Sequence, residues 1–230
     1  MFRRHSNLES ISQDEEAKAV YLRAALRHVD RGYKHIYPDS LVGKSIGNVG
    51  PWNILAGSFE WNDNQLQCIS SGDVILSNMG AYGGWYYRLM KFGSTSTSII
   101  GFIASALEDI NGSSQDGYSL SFSSTERVVL QRRDNGVPTS LAGIVTDPNY
   151  IVNGVTYETF ISRITDSTFQ VWIRGGIYTN WISIGTRLEA TYIDSNFITG
   201  NLDTGDILSH LHYFPYGMGL TPNMIPWLAD

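Results

Sequence analysis

The chain has 230 residues, 12% aromatic and 17% charged, a composition that excludes a disordered segment and is long enough to bury a core without disulfide or metal staples. Its net charge of -6 argues against nonspecific nucleic-acid binding, and its single cysteine excludes an intrachain disulfide framework. No apolar run approaches the ~20 residues of a membrane-spanning helix, so no membrane partner is expected.

The opening MFRRHSNLES lacks the apolar centre of a secretory signal, so export by that route is not expected. Residues 1–36 hold seven basic and five acidic side chains, which leaves nine basic and seventeen acidic in the remainder. A basic arm on an acidic body implies different partners for the two parts. Residues 12–31 are predicted to form a helix. Ser12 and Glu15 have the spacing of a capping box, Asp14 to Glu16 suit the first turn, and Arg27, His28 and Arg31 suit the last. One face carries Ala17, Val20, Tyr21, Ala24 and Ala25. Arg3, Arg4, Val20, Tyr21, Ala24 and Arg27 are the assembly candidates, on a segment that either docks onto a neighbour or covers an open edge of its own body.

Residues 37–50 read as a linker or strap. From residue 51 to 215 nearly everything reads as strand: Trp52–Trp61, Gln65–Ile69, Asp73–Met79, Trp85–Phe92, Ser98–Ala106, Gly117–Ser123, Arg127–Arg133, Thr156–Ile164, Phe169–Arg174, Trp181–Ile184 and Asp206–Tyr213. Short strands without intervening helices predict a mainly β fold, an antiparallel sandwich or jelly roll with one N-terminal α-helix. Alternation assigns faces. Tyr118, Leu120 and Phe122 share one side and Ser119, Ser121 and Ser123 the other. Around a turn at Thr165–Ser167, Phe169, Val171 and Ile173 point to the core, while Trp172 and Arg174 point outward. Cys68 reads as a small core residue. The tail, residues 216–230, is apolar with two prolines and reads as neither helix nor strand, laying Met224, Ile225 and Trp227 on a surface.

Several segments carry a family resemblance. They are W-x-I-x-x-G-x-F-x-W from Trp52 to Trp61, GGWYYRL from Gly83, GYSLSF from Gly117, and RVVLQR from Arg127. After them come N-x-x-x-Y-x-x-x-I-x-R ending at Arg163, FQVWIRGG from Phe169, and NLDTGD from Asn201. In this order, over roughly residues 50–215, the chain resembles a concanavalin A-like (lectin/glucanase, laminin-G-like) jelly roll, of the variant seen in bacteriophage virion proteins. The resemblance implies a virion component assembled in the host cytoplasm, with other virion proteins as partners and a homo-oligomeric state. Lectins, glycan-binding modules and hydrolases share such folds, so the fold does not fix the activity.

Hydrolases of this fold cluster acidic residues on one strand, supplying two carboxylates that flank a glycosidic bond. The chain lacks that cluster; its nearest acidic pair, Glu108 and Asp109, is adjacent and on a strand would face opposite ways, so no enzyme is expected. No cofactor is called for. Calcium could use the oxygens of Asn62–Asn64, Asp194–Asn196 or Asp203–Asp206, although turn chemistry explains those segments too. His210 and His212 share a strand face but lack a third metal ligand. Gly43-Lys44-Ser45 would need a glycine at position 38 to end a phosphate loop, and that residue is Pro38. Glycan contact through aromatic rings is the remaining chemistry. Trp85, Tyr87, Trp172, Arg174, Tyr178 and Trp181 are the candidates, with Tyr82 and Tyr86 beside them.

Overall fold

The computed structural model describes residues 47–49, 52–63, 65–77, 80–164, 167–195, 197–214 and 219–225, all within the second of the chain's two units, Tyr37–Asp230. The helix expected over residues 12–31 and the assembly candidates Arg3, Arg4, Val20, Tyr21, Ala24 and Arg27 lie outside the described residues. So does Trp227.

The described strands form two antiparallel sheets. The eight-stranded sheet has the order β1 (Gly47–Val49), β2 (Trp52–Ile54), β5 (Gly72–Ser77), β14 (Phe197–Leu202), β7 (Ser98–Ala104), β8 (Gly117–Phe122), β9 (Val128–Asp134) and β10 (Val137–Val145). The seven-stranded sheet has the order β13 (Tyr178–Leu188), β12 (Thr168–Gly175), β11 (Val155–Arg163), β6 (Gly83–Lys91), β15 (Ile207–Phe214), β4 (Gln65–Ser70) and β3 (Ser58–Asn62). This is the antiparallel sandwich expected from the strand pattern.

The core lies between the sheets and is built by period-two alternation. Phe169, Val171 and Ile173 of β12 are fully buried, as expected. Phe169 meets Tyr118 of the other sheet at a ring separation of 4.8 Å, and Trp85 meets Phe102 at 5.2 Å. Cys68 is buried at 1% exposure, and burial foremost, then the charges of Asp206 and Asp203, pushes its thiol up to about 12. The β11–β12 hairpin forms in register, with Arg163 opposite Phe169.

Several expectations are corrected. Trp52–Trp61 is not one strand: β2 and β3 belong to different sheets, because Leu55 and Ala56 both donate backbone hydrogen bonds to Asp73 O and turn the chain between layers. β10 and β14 were not anticipated. β10 is mostly exposed and carries Pro138, while β14 runs between β5 and β7 with Gly200 at its centre. The strand expected over Trp181–Ile184 extends to Tyr178–Leu188, and part of the 37–50 strap is β1. Pro222–Met224 form a 3-10 turn, with Ile225 buried and Met224 exposed.

The serine face of β8 is also not open to water. Ser119 and Ser121 are both buried, and the 105–116 loop reaches Ser119 through Arg133. Arg133 stitches that loop down, donating from Nε to Ser119 Oγ (3.2 Å) and from Nη1 to Ile110 O (3.3 Å) and Asn111 Oδ1 (2.6 Å). A Cβ on Gly101 would come within 2.5 Å of Ile110 Cδ1 and 2.6 Å of Thr199 Oγ1, so a larger residue there would have to push both side chains aside.

Both ends of the core contain a buried cation. At one end Lys91 Nζ meets Asp206 Oδ2 at 3.1 Å, with both side chains fully buried. Lys91 also donates to Ser96 Oγ and Ser98 Oγ, each at 2.8 Å, and Phe92 N–H donates to Asp206 Oδ1 at 2.9 Å. At the other end Arg163 donates to the carbonyls of Ala81 (3.2 Å), Glu189 (3.1 Å) and Tyr192 (2.6 Å). Its guanidinium stacks on Tyr82, Tyr118 and Phe169.

Truncating Phe169 to alanine is expected to cost ~3–5 kcal/mol in urea denaturation as a core cavity. Trp172→Ala, on the outer face, is expected to cost less. Asp206→Ala leaves a buried ammonium without its partner and is expected to cost ~3–5 kcal/mol, with the double variant Lys91→Met/Asp206→Leu recovering part of the loss.

Candidate functional site

The outward face of the seven-stranded sheet brings the remaining polar and aromatic candidates together. Pairing aligns two rows across the strands. One row is Ser209, Arg88, Glu158 and Arg174; the next is His212, Tyr86, Phe160 and Trp172. On β6, β11 and β12 the adjacent rows lie two residues apart, roughly 7 Å, and on β15 a register shift separates them. β13 adds Trp181 beside them.

Glu158 is the hub of the first row. Arg174 Nη2 donates to both of its oxygens at 3.0 Å, and Arg174 Nε to Oε1 at 3.2 Å. Arg88 Nη2 reaches Oε2 at 3.4 Å, and Tyr86 O–H donates to the same oxygen at 2.7 Å. Burial alone would raise the Glu158 carboxyl, but the Tyr86 hydrogen bond and the two guanidinium groups hold it below the usual carboxylate range. Arg174 also lies 5.0 Å from the centre of the Trp181 ring, a cation–π contact that fixes the indole. Phe160 packs on Trp172 at 5.8 Å and Tyr86 on Trp181 at 6.4 Å. Trp172 and Trp181 are half-buried, leaving part of each ring on the surface.

The structure divides the sequence candidates. Trp172, Arg174 and Trp181 come together. Trp85 and Tyr87 do not join them. Both are fully buried, since β6 lies between β11 and β15 and these two positions face the core. They cannot offer a ring face to a ligand. Tyr178 packs on Tyr150 at 5.3 Å, and Tyr150 on the inward-facing Tyr157, so it too is apart from the outer cluster. Tyr82 is engaged by Arg163, and Tyr86 faces outward but is fully covered. Arg88 and Glu158 were missed. The signal was present in the alternation of Tyr86 with Tyr87 and Glu158 with Tyr157, but nothing local marked these side chains as partners.

Of the metal candidates, Asp203 and Asp206 take structural roles. Asp206 is bound to Lys91, and Asp203 Oδ1 accepts from Ser71 Oγ. Glu108 and Asp109 lie in the 105–116 loop rather than on a strand, where they accept from the N–H groups of Ser114 and Asn111. His210 and His212 do not share a regular strand face. The register shifts between Ser209 and His212, and His210 takes φ +53. Among the described residues no group of three or more His, Cys, Asp or Glu is placed to hold a metal ion.

No protein-family model matches the chain, and no curated protein matches it. Solved structures similar to it include the carbohydrate recognition domain of Emp47p, 10% identical with a TM-score of 0.44, covering 79% of this chain and 93% of that one. The PSpry domain of TRIM65 is 13% identical with a TM-score of 0.43, covering 67% and 85%. The CBM2 module of the evolved Dit of Lactobacillus casei BL23 phage J-1 is 11% identical with a TM-score of 0.43, covering 69% and 78%.

His212 supplies a pH test of this face. Burial foremost, then the charges of His210 and Arg88, push its imidazole down to about 4 from an ordinary value of 6.5. Below pH 6.5 the unfolded chain binds a proton there that the folded chain does not bind until pH falls to about 4. This contribution to stability is therefore fully present above pH 6.5 and declines across that window. His212→Phe is expected to flatten the stability profile between those values, read by urea denaturation at stepped pH.

Proposed function

We propose that the protein is a non-enzymatic structural component of a bacteriophage particle, displaying its sandwich on the head, neck or tail and contacting glycans through the outer face of β11, β12 and β13. The observation that carries the binding reading is the pair of half-buried indoles, Trp181 against Arg174 and Trp172 against Phe160, on the face that carries the Glu158–Arg174 pair. Sugar rings stack on such rings and hydrogen-bond to adjacent polar groups. The virion setting is supported by the order of the recurring segments, from the Trp52–Trp61 stretch to NLDTGD.

The state of two carboxylates, Glu158 and Asp206, fits a binding rather than a hydrolytic role. Glycoside hydrolysis needs two carboxyl groups flanking the scissile bond, one of them able to donate a proton. Glu158 is shared between two guanidinium groups and a phenol, and Asp206 is buried against Lys91.

Residues 1–36, with their excess of basic side chains, are the proposed attachment and oligomerisation segment. Deleting them is expected to leave the sandwich folded, with a similar melting temperature, and to abolish incorporation into particles as measured by mass spectrometry of purified virions. Insoluble or molten truncated protein would show instead that the segment completes the core. On a glycan array an oligomeric form is expected to bind weakly per site and to gain from multivalency. A folded oligomer that binds nothing would leave only the structural role. Release of reducing ends that one Asp or Glu substitution abolishes would overturn the non-enzymatic reading.

A further inference from the structure

We propose that Asn111 is a self-modifying site, at which the backbone nitrogen of Gly112 attacks the side-chain amide, ammonia leaves, and the aspartate that results pairs with the buried guanidinium of Arg133. The reaction needs neither a glycan nor a partner protein.

The chain holds three Asn-Gly pairs, Asn111-Gly112, Asn135-Gly136 and Asn153-Gly154. In each, a glycine leaves the attacking nitrogen uncrowded, and each asparagine is exposed, so water reaches all three. Their surroundings differ. Asn111 Oδ1 accepts from Arg133 Nη1 at 2.6 Å, the shortest of the five hydrogen bonds that this guanidinium makes among the described residues. A charged donor there draws electrons from the amide carbon and stabilises the negative charge that forms on Oδ1 during attack. Asn153 Oδ1 accepts from the neutral backbone N–H of Ser94. Asn135 sits in the β9–β10 turn at φ +51, and its N–H donates to Asp116 Oδ1 at 2.7 Å.

A base is also in place at the first pair. A Cβ on Gly112 would stand 2.4 Å from Glu108 Cδ and 2.7 Å from Glu108 Oε1, so this carboxylate lies directly against the glycine. The N–H of Ser114 holds it there, donating to Oε1 at 2.5 Å. Glu108 is therefore the group to take the proton from Gly112. The nearest atoms to Gly136 are the backbone carbonyls of Asn111 and Gly112, and nothing lies within 4 Å of a Cβ on Gly154. Attack requires the glycine N–H to leave its own acceptor. That bond is 3.0 Å from Gly112 to Asp109 O, against 2.7 Å from Gly136 to Gln115 O and from Gly154 to Lys91 O.

The bond from Gly112 N to Asn111 Cγ forms as Glu108 takes the N–H proton. The Cγ–Nδ2 bond breaks as that proton passes to the leaving nitrogen, giving ammonia and a five-membered succinimide. Water then opens the ring. Cleavage at Cγ leaves aspartate in a normal backbone, and cleavage at the main-chain carbonyl carbon leaves isoaspartate. One water is consumed, one ammonia is released, and nothing is oxidised. The aspartate product meets an unfilled need. Arg133 is 1% exposed, and its acceptors are Ser119 Oγ, Gln131 Oε1, Asn111 Oδ1 and the carbonyls of Ile110 and Gly136, all neutral. A carboxylate at position 111 supplies the counter-charge and tightens the 105–116 loop.

The test incubates the full chain at mildly alkaline pH, folded and unfolded in guanidinium chloride, and follows each Asn-Gly peptide by mass gain and isoaspartate labelling. In the folded chain Asn111 is expected to react about tenfold or more faster than Asn135 and Asn153. In the unfolded chain the three are expected to react at similar rates, because the dipeptide is the same. Glu108→Gln keeps an acceptor for Ser114 and is expected to remove most of the lead; Arg133→Lys is expected to reduce it. Asn111→Asp is expected to raise the urea midpoint. Equal rates in the folded chain, a lead that persists on unfolding, or a lead unaffected by Glu108→Gln overturns the site. A lowered midpoint for Asn111→Asp overturns the pairing with Arg133.

Discussion

The buried pair of Lys91 and Asp206 is the constraint on which the rest of the sandwich depends. Lys91 ends the inward row of β6, in the seven-stranded sheet. Ser98, which shares the ammonium, begins β7 in the eight-stranded sheet. Asp206 closes the crossover from β14 to β15, and its carbonyl and that of Asp203 help fold that crossover. One carboxylate therefore ties both sheets and the chain between them. Within the same turn Gly205 takes φ +90 with the Phe92 ring where a Cβ would stand, so the backbone can make the turn only as glycine. An ion pair without solvent is stabilising only when its remaining donors and acceptors are satisfied, and here serines and backbone N–H groups satisfy them.

The segments most conspicuous in the sequence belong to this scaffolding. NLDTGD supplies Asp206. The I-x-R strand supplies Arg163, whose charge at the opposite end of the core is met by three carbonyls and three aromatic rings instead of an acid. A buried guanidinium without a carboxylate costs more in desolvation than a paired one, and burial lowers its pKa accordingly. The surface chemistry resides in the alternate positions of the same strands, where Glu158 and Trp172 face outward.

Alternation made the architecture legible, because a strand that reads Phe169, Val171, Ile173 against Gln170, Trp172, Arg174 declares its faces locally. It could not say whether an outward face meets water or another segment. Ser119 and Ser121 look like a solvated stripe and are buried; Tyr86 faces outward and is fully covered. Nor could it say which face of a strand rich in aromatics is the core. In GGWYYRL every position is plausible for either side, and only the placement of β6 between β11 and β15 assigns Trp85 and Tyr87 inward. β14 escaped notice because Gly200 and Asn201 are poor strand formers held by two neighbouring strands. The Arg88–Glu158–Arg174 row was invisible for a different reason. Its members lie on three strands, and their meeting depends on register that no single segment encodes.

Cys68 has a consequence for any assembly of this chain. It is the one sulfhydryl in 230 residues, it is sealed in the core, and its proton is held far above neutral pH, so it is not a thiolate nucleophile. Copies of the protein cannot be joined to one another or to a neighbour through sulfur. Whatever contacts gather them must be noncovalent in that respect, responsive to concentration and ionic strength and indifferent to redox potential.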